Sequence, residues 1–216
     1  MADFTFWDIA RQLLLALRWT VGLSLTAFVC GSLLGLALLV LRLSALPGAV
    51  RLVALYVQIF QGTPLLMQMF LTYFGLALVG IDTSALLAAC VCLSLYAAAY
   101  LTEIWRGCVE SVPKGQWEAS ASLAMGFTEQ LRYVILPQAL RLGVAPTAGF
   151  SVQVVKGTAL TSVIGLVEIT KTGQLIANAT FEPFLVYGCV AALYFALCFP
   201  LSLWSQRLER RLRAKP

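Results

Sequence analysis

Long stretches without a charged residue are the feature that most constrains how this chain can fold. An α-helix rises about 1.5 Å per residue, so roughly 20 apolar residues cross the hydrocarbon core of a bilayer. Only 12% of the 216 residues are charged, whereas a soluble domain has about a quarter. The uncharged stretches are residues 19–41, 52–81, 83–102, 183–206 and, interrupted only by Lys156, 142–167.

These stretches predict an all-α membrane protein that forms a single domain. No stretch has the charged face that a helix of a soluble bundle turns to water, and none alternates apolar and polar residues as barrel strands do. We therefore expect five transmembrane helices, over residues 19–41, 52–80, 83–105, 142–165 and 184–206.

The basic residues predict the orientation of the helices. Eleven of the 15 Lys and Arg residues fall between the first and second stretches, between the third and fourth, or after the fifth. Cytoplasmic loops carry the excess of Lys and Arg, so we expect the N-terminus outside and the C-terminus in the cytoplasm. The basic segment from Arg207 onwards then lies at anionic lipid headgroups, and we expect no nucleic-acid partner.

Residue types that carry most enzyme chemistry are scarce. The chain has no His, and its 6 Cys residues have neither zinc-site nor CxxC spacing. It contains no P-loop for ATP and no G-x-S-x-G motif. We therefore expect no catalytic residue, no metal and no cofactor in this chain.

The cytoplasmic loop at residues 108–137 is too long for a simple connection and has helical signals of its own. Pro113 fits the first turn of a helix, and small side chains follow in the helix expected over residues 114–125. Such a thin helix is typical of a close protein contact. The alternative is an amphipathic helix that only lies on lipid.

Three further residues predict how this loop is divided. Gly126 is expected to end the first helix in the left-handed conformation. Thr128 is expected to cap a second helix over residues 129–136, and Pro137 to stop it.

Lys156 is the most conspicuous polar residue inside a predicted span. An ionisable group in hydrocarbon costs about 3 kcal/mol on insertion scales. We therefore expect a partner for it: a carboxylate of this chain or of a neighbouring subunit, or the carboxylate of a substrate.

Uncharged polar residues also lie within the second and fourth spans. A kink is expected at Pro64, and irregular backbone at that depth faces either protein or a watery cavity. The polar side chains either line a path for a solute or hydrogen-bond neighbouring helices. They are Gln58, Gln61, Thr63, Thr158, Thr161 and Ser162.

The remaining charges near the membrane have simpler interpretations. Glu103 and Arg106 are spaced for an ion pair on one helix face. Glu168 and Lys171 are expected to be exposed loop charges on the outer face, with an entrance for substrate or a contact with an external protein as the alternatives.

Several motifs, in order, resemble the permease subunits of ABC importers for polar amino acids, the group that includes histidine, glutamine, glutamate and arginine permeases. Glu118-Ala119-Ser120, Gly126 and ILPQA at residues 135–139 resemble the EAA loop. The other motifs are QGTPLL at 61–66, YLTEIWRG at 100–107, VPKGQWEA at 112–119 and KGTALTSVIG at 156–165. Relatives usually have Gly at the position of Ala124, whereas this chain has its glycine at Gly126, which implies a hinge that is either displaced or less flexible.

The resemblance implies a type I importer fold in the bacterial inner membrane. It implies a second permease subunit, identical or related, two cytoplasmic ATPases that bind ATP and Mg, and a periplasmic amino-acid-binding protein. A helix of the loop would dock into the ATPase and pass its motion to the spans. The residues assigned to that contact are Lys114, Trp117, Glu118, Ala119, Ser120, Leu123, Met125 and Gly126.

Two other functions are compatible with a membrane protein of this size. A self-contained carrier or channel is one, although carriers often show internal repeats and no second copy of QGTPLL occurs. A membrane-anchored assembly factor is the other, although it would not need Lys156 within a span.

Overall fold

The computed structural model describes residues 5–44 and 46–213, and this part of the chain is almost entirely helical. The all-α fold that the sequence predicts is confirmed. In the described residues the helices are α1 Phe6–Arg42, α2 Pro47–Gly62, α3 Leu65–Leu78, α4 Ala85–Glu110, α5 Lys114–Ser122, α6 Phe127–Ile164, α7 Ile169–Thr180 and α8 Pro183–Arg213.

Three helices, α1, α4 and α8, are each long and apolar enough to cross a membrane. The bent pairs α2–α3 and α6–α7 qualify only when each pair is taken together, which gives up to five spans in the described part of the chain. The exposed surface is strongly apolar: Leu33, Leu71 and Phe184 are 67%, 73% and 96% exposed. Helices that face lipid or another subunit are expected to expose such side chains.

Helices α1 and α4 pack closely because small residues meet along their contact. A Cβ atom placed on Gly31 would lie 2.5 Å from the Cβ of Ala97, and one on Gly35 would lie 3.1 Å from the carbonyl oxygen of Ala98. The buried hydroxyl of Thr102 donates to the carbonyl of Gly35 at 3.1 Å. Glycine at these positions therefore brings the two backbones into contact.

The kink expected at Pro64 is a complete break between α2 and α3. Thr63 is extended, with φ −119° and ψ 145°, and α3 leaves at an angle of 106° to α2. Proline lacks the amide hydrogen that a continuing helix needs and disfavours a helical conformation in the residue before it. Residues 52–80 are therefore not one continuous helix, and α2 begins earlier, at Pro47.

Pro137 does not end a helix, so that prediction is wrong. The helix expected over residues 129–136 instead starts at Phe127 and continues through Pro137 to Ile164 as α6. A π-helical segment, Gln130–Ile135, ends two residues before the proline. Its wider turn separates the proline ring from the preceding carbonyl groups, so the helix can continue.

The fourth predicted span ends in a bend of 49° that leads into α7, a helix the sequence patterns did not predict. Residues Thr158–Ile164 form a 3-10 turn, and Gly165 follows with φ 88°, a conformation that glycine adopts without a Cβ clash. The Glu168 side chain then caps α7 by accepting a hydrogen bond from the amide of Lys171 at 2.9 Å.

Candidate functional site

Helix α5 is held against the ends of α4 and α6 by a small apolar cluster. Trp117 packs at the edge of this cluster and stacks on Phe127 with ring centroids 6.1 Å apart. Gln138 of α6 donates to the side chain of Gln116 at 3.2 Å. The buried members of the cluster are Val109, Val112, Ile135 and Ala139. Helix α5 therefore packs against both longer helices.

The turn after α5 has its left-handed residue at Ala124, not at Gly126. Ala124 has φ 59°, whereas Gly126 has φ −70°, so the predicted left-handed cap at Gly126 is wrong. The amide of Gly126 donates to the carboxylate of Glu129 at 2.9 Å. Gly126 is thus the cap of α6, and the predicted cap at Thr128 is also wrong.

We call α5 and the turn to Phe127, residues 114–127, the knob. Ser120 is only 2% exposed, and its hydroxyl donates to the carbonyl of Trp117 at 2.9 Å, so it faces its own chain. Trp117 and Met125 are half-buried, and the other residues assigned to the contact are exposed: Lys114, Glu118, Ala119, Leu123 and Gly126.

The exposed side of the knob carries large apolar side chains. Leu123 is 76% and Phe127 56% exposed, beside the charged Lys114 and Glu118. The helix is thin there, because Ala119 and Ala121 have small side chains. Apolar groups in a charged surface are typical of a protein contact.

A second candidate site lies at the break between α2 and α3. The side chain of Gln68 donates to the carbonyls of Phe60 and Thr63, at 2.8 and 3.0 Å, and so joins the two helices. Gln58, Gln61 and Thr63 are exposed on this chain. These polar side chains are therefore accessible to a molecule that contacts this surface of α2.

Lys156 is exposed on α6 and lines a cavity of about 400 Å³ between α6 and α8. Among the described residues, no carboxylate lies within ion-pair distance of it. The rest of the lining is mainly apolar or aromatic: Ala159, Tyr194, Phe195, Cys198, Phe199 and Ser202.

The hydroxyl groups that follow Lys156 point back into the chain. Thr158 and Thr161 are fully buried, and their hydroxyls donate to the carbonyls of Val155 and Thr158, both at 2.7 Å. Ser162 is half-buried and donates in the same way to Ala159. These hydroxyl groups therefore bond to the backbone of their own helix in this conformation.

A larger cavity than the one beside Lys156 is a poor site for a polar solute. It measures about 680 Å³, lies between α1, α4, α6 and α8, and has an almost wholly apolar lining. Its polar Trp105 ring nitrogen already donates to Thr147 at 2.9 Å. A polar ligand would leave its own groups unpaired there, at a cost of a few kcal/mol.

Arg106 holds two carboxylates on one face of α4. It lies 2.8 Å from Glu103, the partner predicted by their spacing, and it also pairs with Glu110. Within the described residues, no group of three or more His, Cys, Asp or Glu side chains could hold a metal ion.

Sequence patterns missed the polar centre around Glu168, which is fully buried rather than an exposed loop charge. Its carboxylate accepts hydrogen bonds from the Tyr194 hydroxyl at 2.8 Å and from the Thr20 hydroxyl at 3.3 Å. The centre therefore joins α1, α7 and α8. Nothing local in the sequence predicts it, because Thr20 and Glu168 are 148 residues apart.

The fold and these sites are those of a multi-pass α-helical membrane subunit. It has an anchored knob at one end and a broken helix, α2–α3, in its membrane-spanning part. Residues 49–214 match the family described as the binding-protein-dependent transport system inner membrane component. The chain belongs to this family, the permease subunits of ABC importers. It is therefore an inner-membrane, non-catalytic subunit, and a partner ATPase hydrolyses ATP.

Relatives match along most of their length. The probable amino-acid ABC transporter permease protein YckA of Bacillus subtilis is 32% identical over 89% of this chain and 85% of its own. The L-cystine transport system permease protein TcyB of the same species is 33% identical, over 95% and 91%. The glutamine transport system permease protein GlnP of Escherichia coli K12 is 36% identical over 73% of each chain.

Solved structures agree with the fold. A chain of an amino acid ABC transporter crystallised with histidines has a TM-score of 0.90 and 30% identity, covering 97% of this chain and 99% of that one. The inward-facing MetNI methionine ABC transporter has a TM-score of 0.71 at 23% identity, over 98% and 99%, and supports the fold alone. The findings favour the permease over a self-contained carrier or an assembly factor.

Proposed function

We propose that this chain is the permease of an ATP-driven importer for polar amino acids. The relatives named above are amino-acid, cystine and glutamine permeases, and the solved structure with the higher similarity is an amino acid transporter. In this proposal the N-terminus lies outside and the C-terminus and knob in the cytoplasm, in agreement with the Lys and Arg distribution.

The proposed complex has two permease subunits in the membrane, two cytoplasmic ATPases and one external binding protein. Two permeases, identical or related, form the path. Two ATPases, which bind ATP and Mg, each contact one knob. A binding protein delivers the amino acid from outside. The observation that best supports this arrangement is the structure of the knob, an anchored helix whose exposed side includes Leu123 and Phe127.

Motion of the ATPase can reach the membrane through one continuous element. Helix α6 starts at Phe127, against Trp117 of the knob, and runs to Ile164. Lys156 lies on the same helix, beyond its midpoint. A shift of the knob is therefore a shift of α6, and it changes the position of Lys156 relative to α8.

The path itself is proposed to follow the polar residues on the exposed face of α2 and α6. Gln58, Gln61 and Thr63 lie beside the break, where non-helical backbone is tolerated if it faces a watery cavity. Lys156 supplies a positive charge at the path. The hydroxyls of Thr158, Thr161 and Ser162 would join it only if the 3-10 segment rearranged during transport.

Charge reversal at Glu118 tests the proposed contact with the ATPase. In Glu118→Lys, an exposed carboxylate of α5 becomes a cation, so we expect uptake driven by ATP to fall at least tenfold or the ATPase to be lost on purification. Asp82→Lys is the matched control, because Asp82 is exposed at the opposite end of the helices. Unchanged uptake and unchanged ATPase recovery in Glu118→Lys would contradict the proposal.

A further inference from the structure

The apolar cavity between α1, α4, α6 and α8 is open on the surface of the chain and is separate from the proposed path. Its volume of about 680 Å³ lies within the range of roughly 300–1,000 Å³ that is typical of ligand sites. Large apolar side chains on its rim are 44–68% exposed: Leu25, Leu36, Leu140, Val144 and Trp204. The surroundings of the helices can therefore enter the cavity.

Polar side chains in the lining already have partners within the chain. The hydroxyls of Ser24 and Ser151 donate to backbone carbonyls of their own helices, both at 2.7 Å, and Thr147 accepts from the Trp105 ring nitrogen at 2.9 Å. Water in such a cavity lacks the two to four polar partners that it needs. A hydrocarbon chain needs none, so it fits the chemistry of the lining.

The cavity also has the length of a lipid acyl chain. Its lining on α1 runs from Ser24 to Leu39, a rise of roughly 22 Å, whereas one half of the hydrocarbon core of a bilayer is about 15 Å thick. One end lies beside Leu39, Val109 and Trp204, near the cytoplasmic ends of α1 and α4 in the proposed orientation. A chain from the cytoplasmic leaflet can therefore enter it lengthwise.

The rim differs from a contact between transmembrane helices. Such contacts are enriched in small residues that let two backbones approach each other, as Gly31 and Ala97 do between α1 and α4. Leu25, Leu36 and Leu140 instead place bulky side chains around the opening. An acyl chain fits between such side chains, whereas they would hold a partner helix at a distance.

Cationic side chains lie at the cytoplasmic end of the cavity. Ser205 of α8 donates to the carbonyl of Ala145 on α6 at 2.9 Å, which aligns the two helices. From this bond the cytoplasmic rise is about 3 Å to Arg207, about 6 Å to Arg141 and about 9 Å to Arg211. All three are exposed, and none lies within ion-pair distance of a carboxylate in the part of the chain that the structure describes. Guanidinium groups bind phosphate oxygens in pairs.

Trp204 connects the apolar cavity to these cations. It lines the cavity and is 54% exposed, and no hydrogen bond among the described residues uses its ring nitrogen. Arg211 lies seven residues further along α8, on the same helix face. The ring N–H of Trp204 can therefore donate to the ester or phosphate oxygen of a lipid whose chain fills the cavity, which is the usual role of tryptophan at a membrane interface.

We propose that this cavity binds an acyl chain of an anionic phospholipid from the cytoplasmic leaflet, and that Arg141, Arg207 and Arg211 bind its headgroup. Basic pockets between transmembrane helices on the cytoplasmic side suit such headgroups. Only the side of the membrane rests on the proposed function, through the orientation of the helices.

The first test measures the lipid that the complete importer retains after extensive washing in detergent, by mass spectrometry. Phosphatidylglycerol and phosphatidylcholine are added beforehand in equal amounts, and we expect phosphatidylglycerol to be retained. Arg141→Gln with Arg211→Gln should weaken its binding at least about tenfold, because each arginine near an anionic surface is worth about fivefold in affinity. Arg210→Gln is the matched control, since Arg210 is exposed on another side of α8.

Uptake and ATPase activity of the same preparation test the proposed function separately. An active importer that retains neither lipid, or both equally, would overturn the lipid site and leave the proposed function intact. Equal losses of phosphatidylglycerol in the double variant and in Arg210→Gln would also overturn it, because the basic segment as a whole would then bind the lipid.

The second test locates the acyl chain. Phosphatidylglycerol with brominated chains is titrated into the washed importer, since bromine quenches the fluorescence of a tryptophan that it contacts. We expect saturable quenching that unbrominated phosphatidylglycerol relieves and that Trp204→Phe reduces. Val144→Phe should weaken the binding by filling the cavity, whereas Leu142→Phe, at an equally exposed position of α6 outside the lining, should not.

Two results of the titration would overturn the proposal. No quenching in the wild-type importer would mean that the cavity is closed to lipid, as it would be under a partner subunit. Quenching that is unchanged in both Trp204→Phe and Val144→Phe would mean that the chain binds elsewhere.

Discussion

At the scale of single residues, Ala124 sets the shape of the knob. It takes the left-handed conformation, with φ 59°, that closes the turn after α5. For a residue with a side chain this conformation costs about 1–2 kcal/mol, whereas glycine adopts it freely. The turn is therefore strained, and the strain lies in the segment proposed to contact the ATPase.

Ala124→Gly should relieve this strain. We expect a stabilisation of about 0.5–1 kcal/mol, because the steric gain exceeds the extra entropy that glycine loses on folding. Thermal unfolding of the purified complex measures it. Ala121→Gly, an exposed position inside α5, is the control and should destabilise by about 1 kcal/mol. Equal losses in the two variants would show that Ala124 is not strained.

Glu168 is the other residue whose role emerges only from the fold. The carboxylate joins three helices through Thr20, Tyr194 and the amide of Lys171. The sequence around Glu168 predicts an exposed loop charge, because the two hydroxyl groups that bind it, those of Thr20 and Tyr194, lie far away in the chain. Long-range contacts of this kind cannot be inferred from local periodicity.

Glu168→Ala should destabilise the chain by about 1–3 kcal/mol, because buried hydroxyl groups lose their acceptor and α7 loses its cap. Glu168→Gln retains an acceptor oxygen and should lose less. The midpoint of thermal unfolding would show this order, with Glu182→Ala, an exposed carboxylate, close to wild type. If Glu168→Ala also matched wild type, the buried centre would not contribute to stability.

At the scale of elements, two prolines show why local rules predict only part of the fold. Pro64 breaks a helix, as its missing donor predicts, and Thr63 before it is extended. Pro137 lies within a continuous helix, because the π-helical segment Gln130–Ile135 accommodates its ring. The composition around the prolines does not distinguish these outcomes.

The contact between α1 and α4 gives a sharper test at this scale. Gly31→Val would bring a branched side chain into the backbone of α4, where even a Cβ atom lies 2.5 Å from Ala97. We expect a loss of about 1–3 kcal/mol or more from overpacking. Gly22→Val is the matched control on the same helix, because a Cβ atom there meets nothing within 4 Å.

Thermal unfolding of both variants in the same detergent separates packing from helix propensity. A clear drop in the midpoint of thermal unfolding for Gly31→Val, with only a small change for Gly22→Val, would support the close contact. Equal drops in the two variants would mean that the valine itself, and not the approach of α4, causes the loss.

At the scale of the whole molecule, the amino-acid sequence predicts the class of protein well and the arrangement of its polar groups poorly. Uncharged stretches predict the apolar helices, and ordered motifs predict the permease family, which the match over residues 49–214 confirms. The knob was expected, but its continuity with α6 was not. The surroundings of Lys156 depend on how α6 and α8 pack, which no local pattern encodes.

In the proposed importer this chain forms a gated path, and a separate ATPase supplies the energy for transport. The most direct measurement is solute uptake into proteoliposomes that contain the purified permease subunits, with or without the ATPase, while the binding protein and ATP are supplied. We expect amino-acid accumulation only when the ATPase is present and can hydrolyse ATP. Accumulation by the permease subunits alone, driven by an ion gradient, would contradict it.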